Sequence, residues 1–179
     1  MRLNARELRT NEPDPQQIKN IKKNPVYIIL DNVLDTYNVG AIFRLADAVA
    51  AQKVYLCGQT EKPPNPRIKK ASINTWRWIN WEHADDAVNV IKELRIKNQE
   101  LRILAVEQDK RSIPLSELKI DFPVAVVVGN ETYGVAKEVL DIADVIVELP
   151  MYGINKSLNV MVTLGIVLYK LIDFLPANN

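Results

Sequence analysis

The chain has 179 residues, the size of one domain, with 47% hydrophobic and 25% charged residues, an ordinary balance for a globular protein. A single cysteine, Cys57, and a single histidine, His83, exclude a disulfide framework and a Cys- or His-rich metal site, so no metal is expected. The formal net charge of +1 argues neither for nor against nucleic acid, and only its distribution is informative.

Residues 1–24 read as a basic N-terminal arm, with a short helix expected from Pro15 to Lys23. Residues 25–176 read as one folded domain. The start of the chain carries Arg2, Arg6, Arg9, Lys19, Lys22 and Lys23 against Glu7, Glu12 and Asp14. A second basic segment holds Lys62, Arg67, Lys69, Lys70 and Arg77 against Glu61. Both segments can meet phosphates, and both are also compatible with solvated loops. No apolar run opens the chain, and the stretch "VMVTLGIVLY" is far shorter than the roughly 20 residues of a membrane span. A cytoplasmic protein without a membrane partner is the expectation.

In chain order, "VYIIL" (residues 26–30) reads as a buried strand, and "NVGAIFRLADAVA" as a helix with Ile42, Leu45, Ala46 and Val49 at helical spacing. "KVYLC" is a second strand. "GQTEKPPNPRIKKAS" reads as a loop from its prolines and lysines. "WRWINW" has room for a short strand, and Asp85 or Asp86 opens the helix "ADDAVNVIKELRIKN". "LRILAVE", "PVAVVVG" and "DVIVEL" are strands. "IPLSEL" is a turn or short helix, "GVAKEVLDIA" a short helix, and "KSLNVMVTLGIVLYKLIDF" the last helix. Apolar strands alternating with helices predict an α/β fold, a mostly parallel sheet with helices on both faces. Ligands of such sheets bind beyond the carboxyl ends of strands, so the loops after Leu30, Val106, Val128 and Leu149 are the places to look for chemistry.

Three of these loops stand out. In "DTYNVGAIFR", Asn38 has the chemistry of a helix cap and Arg44 that of a phosphate or carboxylate clamp. Taken alone, the segment reads as a capped helix with a surface arginine. In "VVVGNETYGVAKE", Gly129 and Gly134 bracket a turn containing Glu131. The spacing is neither a dinucleotide fingerprint nor a phosphate-cradling loop. In "ELPMYGINKSLNV", Asn155 or Ser157 is placed to cap the last helix. Leu158, Met161, Val162, Gly165, Leu168 and Ile172 form one apolar face of that helix, and Val160, Leu164, Ile166 and Val167 fill much of the rest. A helix apolar nearly all round needs cover on more than one side, which predicts a homodimer through the C-terminal helix.

Together the three loops resemble the SpoU-type, or TrmH-like, RNA 2′-O-methyltransferases of the SPOUT superfamily. Asn38, Gly40 and Arg44 match the first family motif. Gly129, Glu131 and Gly134 match the second. Pro150, Met151, Gly153, Ser157, Leu158, Asn159 and Val160 match the third. The resemblance spans about residues 26–173. It implies a C-terminal trefoil knot wrapped around S-adenosylmethionine and active sites shared between two subunits. It also implies methyl transfer to a ribose 2′-hydroxyl of tRNA or rRNA; the small size of the chain, separately, gives tRNA a mild preference. Carried over, Val106, Glu107, Gly129, Leu149, Met151 and Leu158 bind the cofactor, and Arg44 orients or activates the hydroxyl. Ser157 and Asn159 bond cofactor, nucleotide or knot, and Asn38 and Glu131 orient Arg44 or the partner's loop. The chain departs from the family pattern at Met161 and Thr163, and it lacks a glycine near residues 70–75. Trp76, Trp78 and Trp81 are read as packing residues more than base-stacking ones. The alternative is a non-catalytic RNA-binding or assembly protein with the same fold. A third reading is an unrelated doubly wound nucleotide-binding protein.

Overall fold

A computed structural model describes residues 3–175. Its centre is a seven-stranded sheet in the order β3-β2-β1-β6-β4-β7-β5, with every strand pairing parallel. The strands are β1 (Asn24–Asp31), β2 (Ala51–Cys57), β3 (Trp81–Ala84), β4 (Arg102–Val106), β5 (Ile113–Pro114), β6 (Val124–Gly129) and β7 (Val145–Glu148). β6 is buried at all six positions, which is why its sequence is apolar without alternation.

The pleat divides the core into two layers. Val26, Ile28 and Leu30 of β1 and Val124, Val126 and Val128 of β6 face α3 (Thr36–Ala48) and α7 (Val160–Ile172). Ile29, Ala125 and Val127 face the other way, toward α5 (Ala87–Lys97) and α6 (Lys137–Leu140). Helices therefore cover both faces, as expected. The arm carries α1 (Glu7–Thr10) and α2 (Pro15–Lys19), the second shorter than predicted because Asn20 already closes it.

Four local readings change. The proline-rich loop contains a helix, α4 (Pro66–Ser72): Asn65 caps it from Arg67 and Ile68, and Pro66 takes the first position, where its missing N–H costs nothing. Asp35, not Asn38, caps α3, accepting from Tyr37 N, so Asn38 lies inside the helix. Asn159 caps α7, accepting from Met161 N at 2.9 Å and Val162 N at 3.4 Å; neither Asn155 nor Ser157 does so. Finally, α7 buries Leu164, Val167, Leu168 and Leu171, whereas Leu158 and Val162 of the expected apolar face are exposed. The buried stripe is the one that meets β6 and α3, rotated from the face drawn through Leu158 and Ile172.

The segment around the tryptophans forms a 3₁₀ turn (Thr75–Arg77) ahead of β3. Trp76, Trp78 and Trp81 pack against the core: Trp78 donates to Asp47 Oδ1 at 2.7 Å, and Trp81 meets Phe43 edge to face. No helix among the described residues is long and apolar enough to cross a membrane.

Candidate active site

The sheet order sets β1, β6, β4 and β7 side by side, so the loops leaving their carboxyl ends meet at one rim. The loop after β6 turns back at once. Asn130 and Gly134 exchange N–H···O bonds of 3.0 and 2.9 Å. A Cβ on Gly129 would lie 2.2 Å from the Gly134 carbonyl, and one on Gly134, at φ +71°, would lie 2.0 Å from Glu107 Oε2. Only glycine fits either position, the first for close approach and the second also for its backbone. The loop is then pinned from both neighbouring strands. Glu107, just past β4, accepts from Val135 N at 2.8 Å, and Asp31, at the end of β1, accepts from Ala136 N at 2.9 Å. Asn130 Nδ2 donates to the Asn32 carbonyl at 2.9 Å. Asp31 and Asn130 were missed in the sequence. The signal for Asp31 was there: a carboxylate closing the apolar run "VYIILD".

One chain of side-chain hydrogen bonds joins all three loops. Glu131 accepts from Leu34 N, Asp35 N and Asn38 Nδ2, each at 3.0 Å. Asn38 Oδ1 accepts from Asn159 Nδ2, also at 3.0 Å, and the other end of Asn159 caps α7. Burial pushes the Glu131 carboxyl up, but the bonds from Asn38 and from the backbone outweigh it and hold the group below its ordinary range. Glu131 is thus an ionised anchor, and Asn38 and Asn159 are the links that fasten motif to motif.

Between these loops lies a cavity of about 450 Å³. All six residues expected to bind the cofactor (Val106, Glu107, Gly129, Leu149, Met151 and Leu158) line it, as do Glu131, Ser157 and Asn159. Ser157 is exposed, and its hydroxyl has only Asn155 Oδ1 nearby, at 3.5 Å. Asn38 sits one hydrogen bond behind the wall. Arg44 is not brought in: it is exposed on α3, outside the lining, and its side chain has no hydrogen bond or ion pair among the described residues. A larger hollow of about 710 Å³, among Tyr27, Lys53, Tyr55 and Trp81, opens at the amino ends of the strands, away from these loops.

The lining matches its expected occupant on physical grounds. Val106, Val128, Val147, Leu149 and Leu158 offer apolar walls, and strand ends expose backbone donors and acceptors beside them. Glu107, Glu131 and Glu148 outnumber Lys156, a charge balance that suits a cationic ligand.

A parallel sheet with a strand-end cavity of this size and lining defines an α/β protein with room for a compact, nucleotide-sized ligand. The comparisons make that class specific. The model of the SpoU rRNA Methylase family matches residues 25–169. The chain is 35% identical over 155 residues to the tRNA (guanosine(18)-2′-O)-methyltransferase of Aquifex aeolicus, covering 83% of this chain and 69% of that protein. It superposes on an S-adenosylmethionine-bound rRNA methyltransferase from Sinorhizobium meliloti with a TM-score of 0.78 at 26% identity, covering 89% of this chain and 61% of that one. A TrmH/SpoU tRNA-modifying enzyme from A. aeolicus gives a TM-score of 0.73 at 31% identity, over 93% of this chain and 79% of that one. The chain belongs to the SpoU rRNA methylase family, and with it to the RNA 2′-O-methyltransferases that use S-adenosylmethionine.

Proposed function

We propose that the protein methylates a ribose 2′-hydroxyl of tRNA or rRNA in the cytoplasm, working as a homodimer through α7. The observation that carries this reading is the cavity in which all six expected cofactor residues meet Glu131, Ser157 and Asn159. S-adenosylmethionine, when bound, supplies a methyl group already activated by its sulfonium. What remains for the chain is placement. Val106, Leu149 and Leu158 shelter the donor from water, and Glu107 holds the Gly134 turn against it. Ser157 offers a lightly engaged hydroxyl at the rim. Arg44 grips an RNA phosphate through its planar fork and aims the 2′-oxygen at the donor. A guanidinium carries donors only, so its part is orientation rather than proton removal.

The dimer is supported by the stripe Val162, Ile166 and Tyr169, 40%, 42% and 56% exposed along one side of α7. Leu45, next to Arg44 on α3, packs on Gly165 in that same helix, so the part of α3 that carries Arg44 borders α7. We read Arg44 as serving the partner's cavity. The C-terminal knot belongs to the same reading; its support is the insertion of β6 between β1 and β4, with β7 beyond. Relatives named for both tRNA and rRNA leave the two substrates side by side, and the names weigh against the assembly-protein alternative.

Arg44→Ala is expected to abolish methyl transfer to RNA while calorimetry finds cofactor affinity within about twofold of wild type, a small change in free energy. Leu158→Arg, which places a cation in the cavity, is expected to abolish cofactor binding. Mixing the two inactive chains restores transfer if Arg44 acts across the interface, since one hybrid site is then intact. Unchanged turnover in Arg44→Ala would remove the mechanism, and a folded dimer that binds no S-adenosylmethionine would favour the assembly protein.

A further inference from the structure

The arm does not hang free. Asn74 Nδ2 donates to the Leu8 carbonyl at 3.0 Å, and Arg77 forms an ion pair with Glu12. These contacts set α1 against the turn that follows α4. The turn is unusual: Ile73 and Asn74 both have positive φ, +52° and +66°, in a place where a β-branched side chain is a genuine outlier. The strained backbone aims the Asn74 side chain at the arm.

Five cations then share one region. Arg67, Lys69 and Lys70 lie on the outer side of α4, whose inner side buries Ile68 and Ser72. Arg6 and Arg9 lie on or beside α1. All five are exposed, and none has an ion-pair partner among the described residues. The nearby acids are partly engaged: Glu12 pairs with Arg77, and Glu7 accepts from Asn4 N. The region is also tied to the helix that carries Arg44. At Gly40, α3 and α4 approach so closely that a Cβ would lie 2.6 Å from Ala71 Cβ and 2.8 Å from the Ile68 carbonyl. Further along α3, Trp78 bonds Asp47. Helix α4 meets α3 at Gly40 and the turn after α4 meets it at Asp47, so the two together run along the stretch of α3 that carries Arg44.

We propose that α4 and the clamped arm form one RNA-docking surface, in which Arg67, Lys69, Lys70, Arg6 and Arg9 bind the phosphates flanking the target nucleotide. This rests on the RNA-methyltransferase reading and deepens it, assigning substrate grip to a surface separate from the cofactor cavity. Asn74 is the positioning residue that makes two basic segments, distant along the chain, act as one. The surface is a phosphate reader and carries no base specificity.

The test uses the full chain and a fluorescent, unfractionated tRNA preparation, with affinity measured across a salt series. Each phosphate contact removed is expected to lower the magnitude of the log–log salt slope by about 0.7 to 0.9. Lys69→Gln/Lys70→Gln and Arg6→Gln/Arg9→Gln should each flatten the slope, while affinity for S-adenosylmethionine stays at the wild-type value. Asn74→Gly is the sharper variant. It changes no charge and suits the positive φ, yet it releases the arm, so it should flatten the slope as Arg6→Gln/Arg9→Gln does. Wild-type slopes in all three variants would overturn the proposal. A slope altered by the α4 pair but not by Asn74→Gly would overturn the clamp. Failure of the wild-type chain to bind RNA at all would instead count against the parent reading.

Discussion

Replacing Asn159 separates its two jobs. The cap on α7 is worth about 1 kcal/mol, within a range of about 0.5–2 for such residues. The lateral bond to Asn38 Oδ1 is a second contribution: Asn38 is only 6% exposed, so deleting its donor strands a buried acceptor at about 1–3 kcal/mol. Asn159→Ala should therefore cost about 2–4 kcal/mol. At about 2–4 °C per kcal/mol for a domain this size, the melting temperature should fall by about 10 °C. Asn159→Asp is the discriminating variant. Aspartate caps as well as asparagine, and its charge gains about 0.3–1 kcal/mol from the helix dipole, so a residue that only capped would be neutral or stabilised. Here the new carboxylate would face Asn38 Oδ1 at about the present 3.0 Å with no proton between them. Asn38 cannot turn its amide round, because its Nδ2 is already given to Glu131 Oε1 at 3.0 Å. The structure thus predicts that Asn159→Asp destabilises by about 1–3 kcal/mol despite an intact cap. Urea unfolding at fixed protomer concentration measures it, and a variant as stable as the wild type would refute the three-loop network.

The Glu131 carboxyl is held below its ordinary range, so its contribution to stability is complete above the unfolded pKa, about 4.3, and is lost as pH falls through the lower folded value. The stability gap between wild type and Glu131→Gln should be flat near neutrality and close in acid, followed by denaturation at a series of pH values; a gap that widens in acid would contradict the assignment. Gly134→Ala would place its Cβ against Glu107 Oε2 in a backbone region that costs an L-residue about 1–2 kcal/mol, and it should push Glu107 off Val135 N. Cofactor affinity in calorimetry should fall at least about tenfold, the equivalent of 1.4 kcal/mol.

What the sequence displayed of the fold depended on periodicity. The unbroken apolar run of β6 and the helical spacing on α5 were plain, because burial on two faces or one leaves a local signature. Helix α4 was hidden by its prolines, which suggest a loop unless Asn65 and Pro66 are taken together as a cap and first residue. The true caps of α3 and α7 were displaced by two to four residues, because several neighbouring side chains have the same capping chemistry and only backbone geometry chooses among them. The cavity lining was legible through the motifs. The bond from Asn159 to Asn38 was not, since it spans 121 positions and nothing local announces it. The exposed side of α7 was misdrawn for a related reason: a helix apolar all round does not say which stripe its own sheet will take.

These bonds change what the polar residues of the motifs are for. Glu131, Asn38 and Asn159 spend their donors and acceptors on one another and on the backbone, leaving little with which to touch a substrate. Their chemistry is positional: they fix the loops after β1 and β6 and the start of α7 at one separation. Among the residues of the three motifs, the side-chain polar groups left lightly engaged include the Ser157 hydroxyl and the Arg44 guanidinium, one at the cavity rim and one on the outer side of α3. So sparse a set suits a reaction whose donor arrives activated and whose barrier is mainly one of alignment. It also explains the outward Arg44. On the proposed reading, Arg44 reaches a cleft only in a second copy, which is what mixing the Arg44→Ala and Leu158→Arg chains tests.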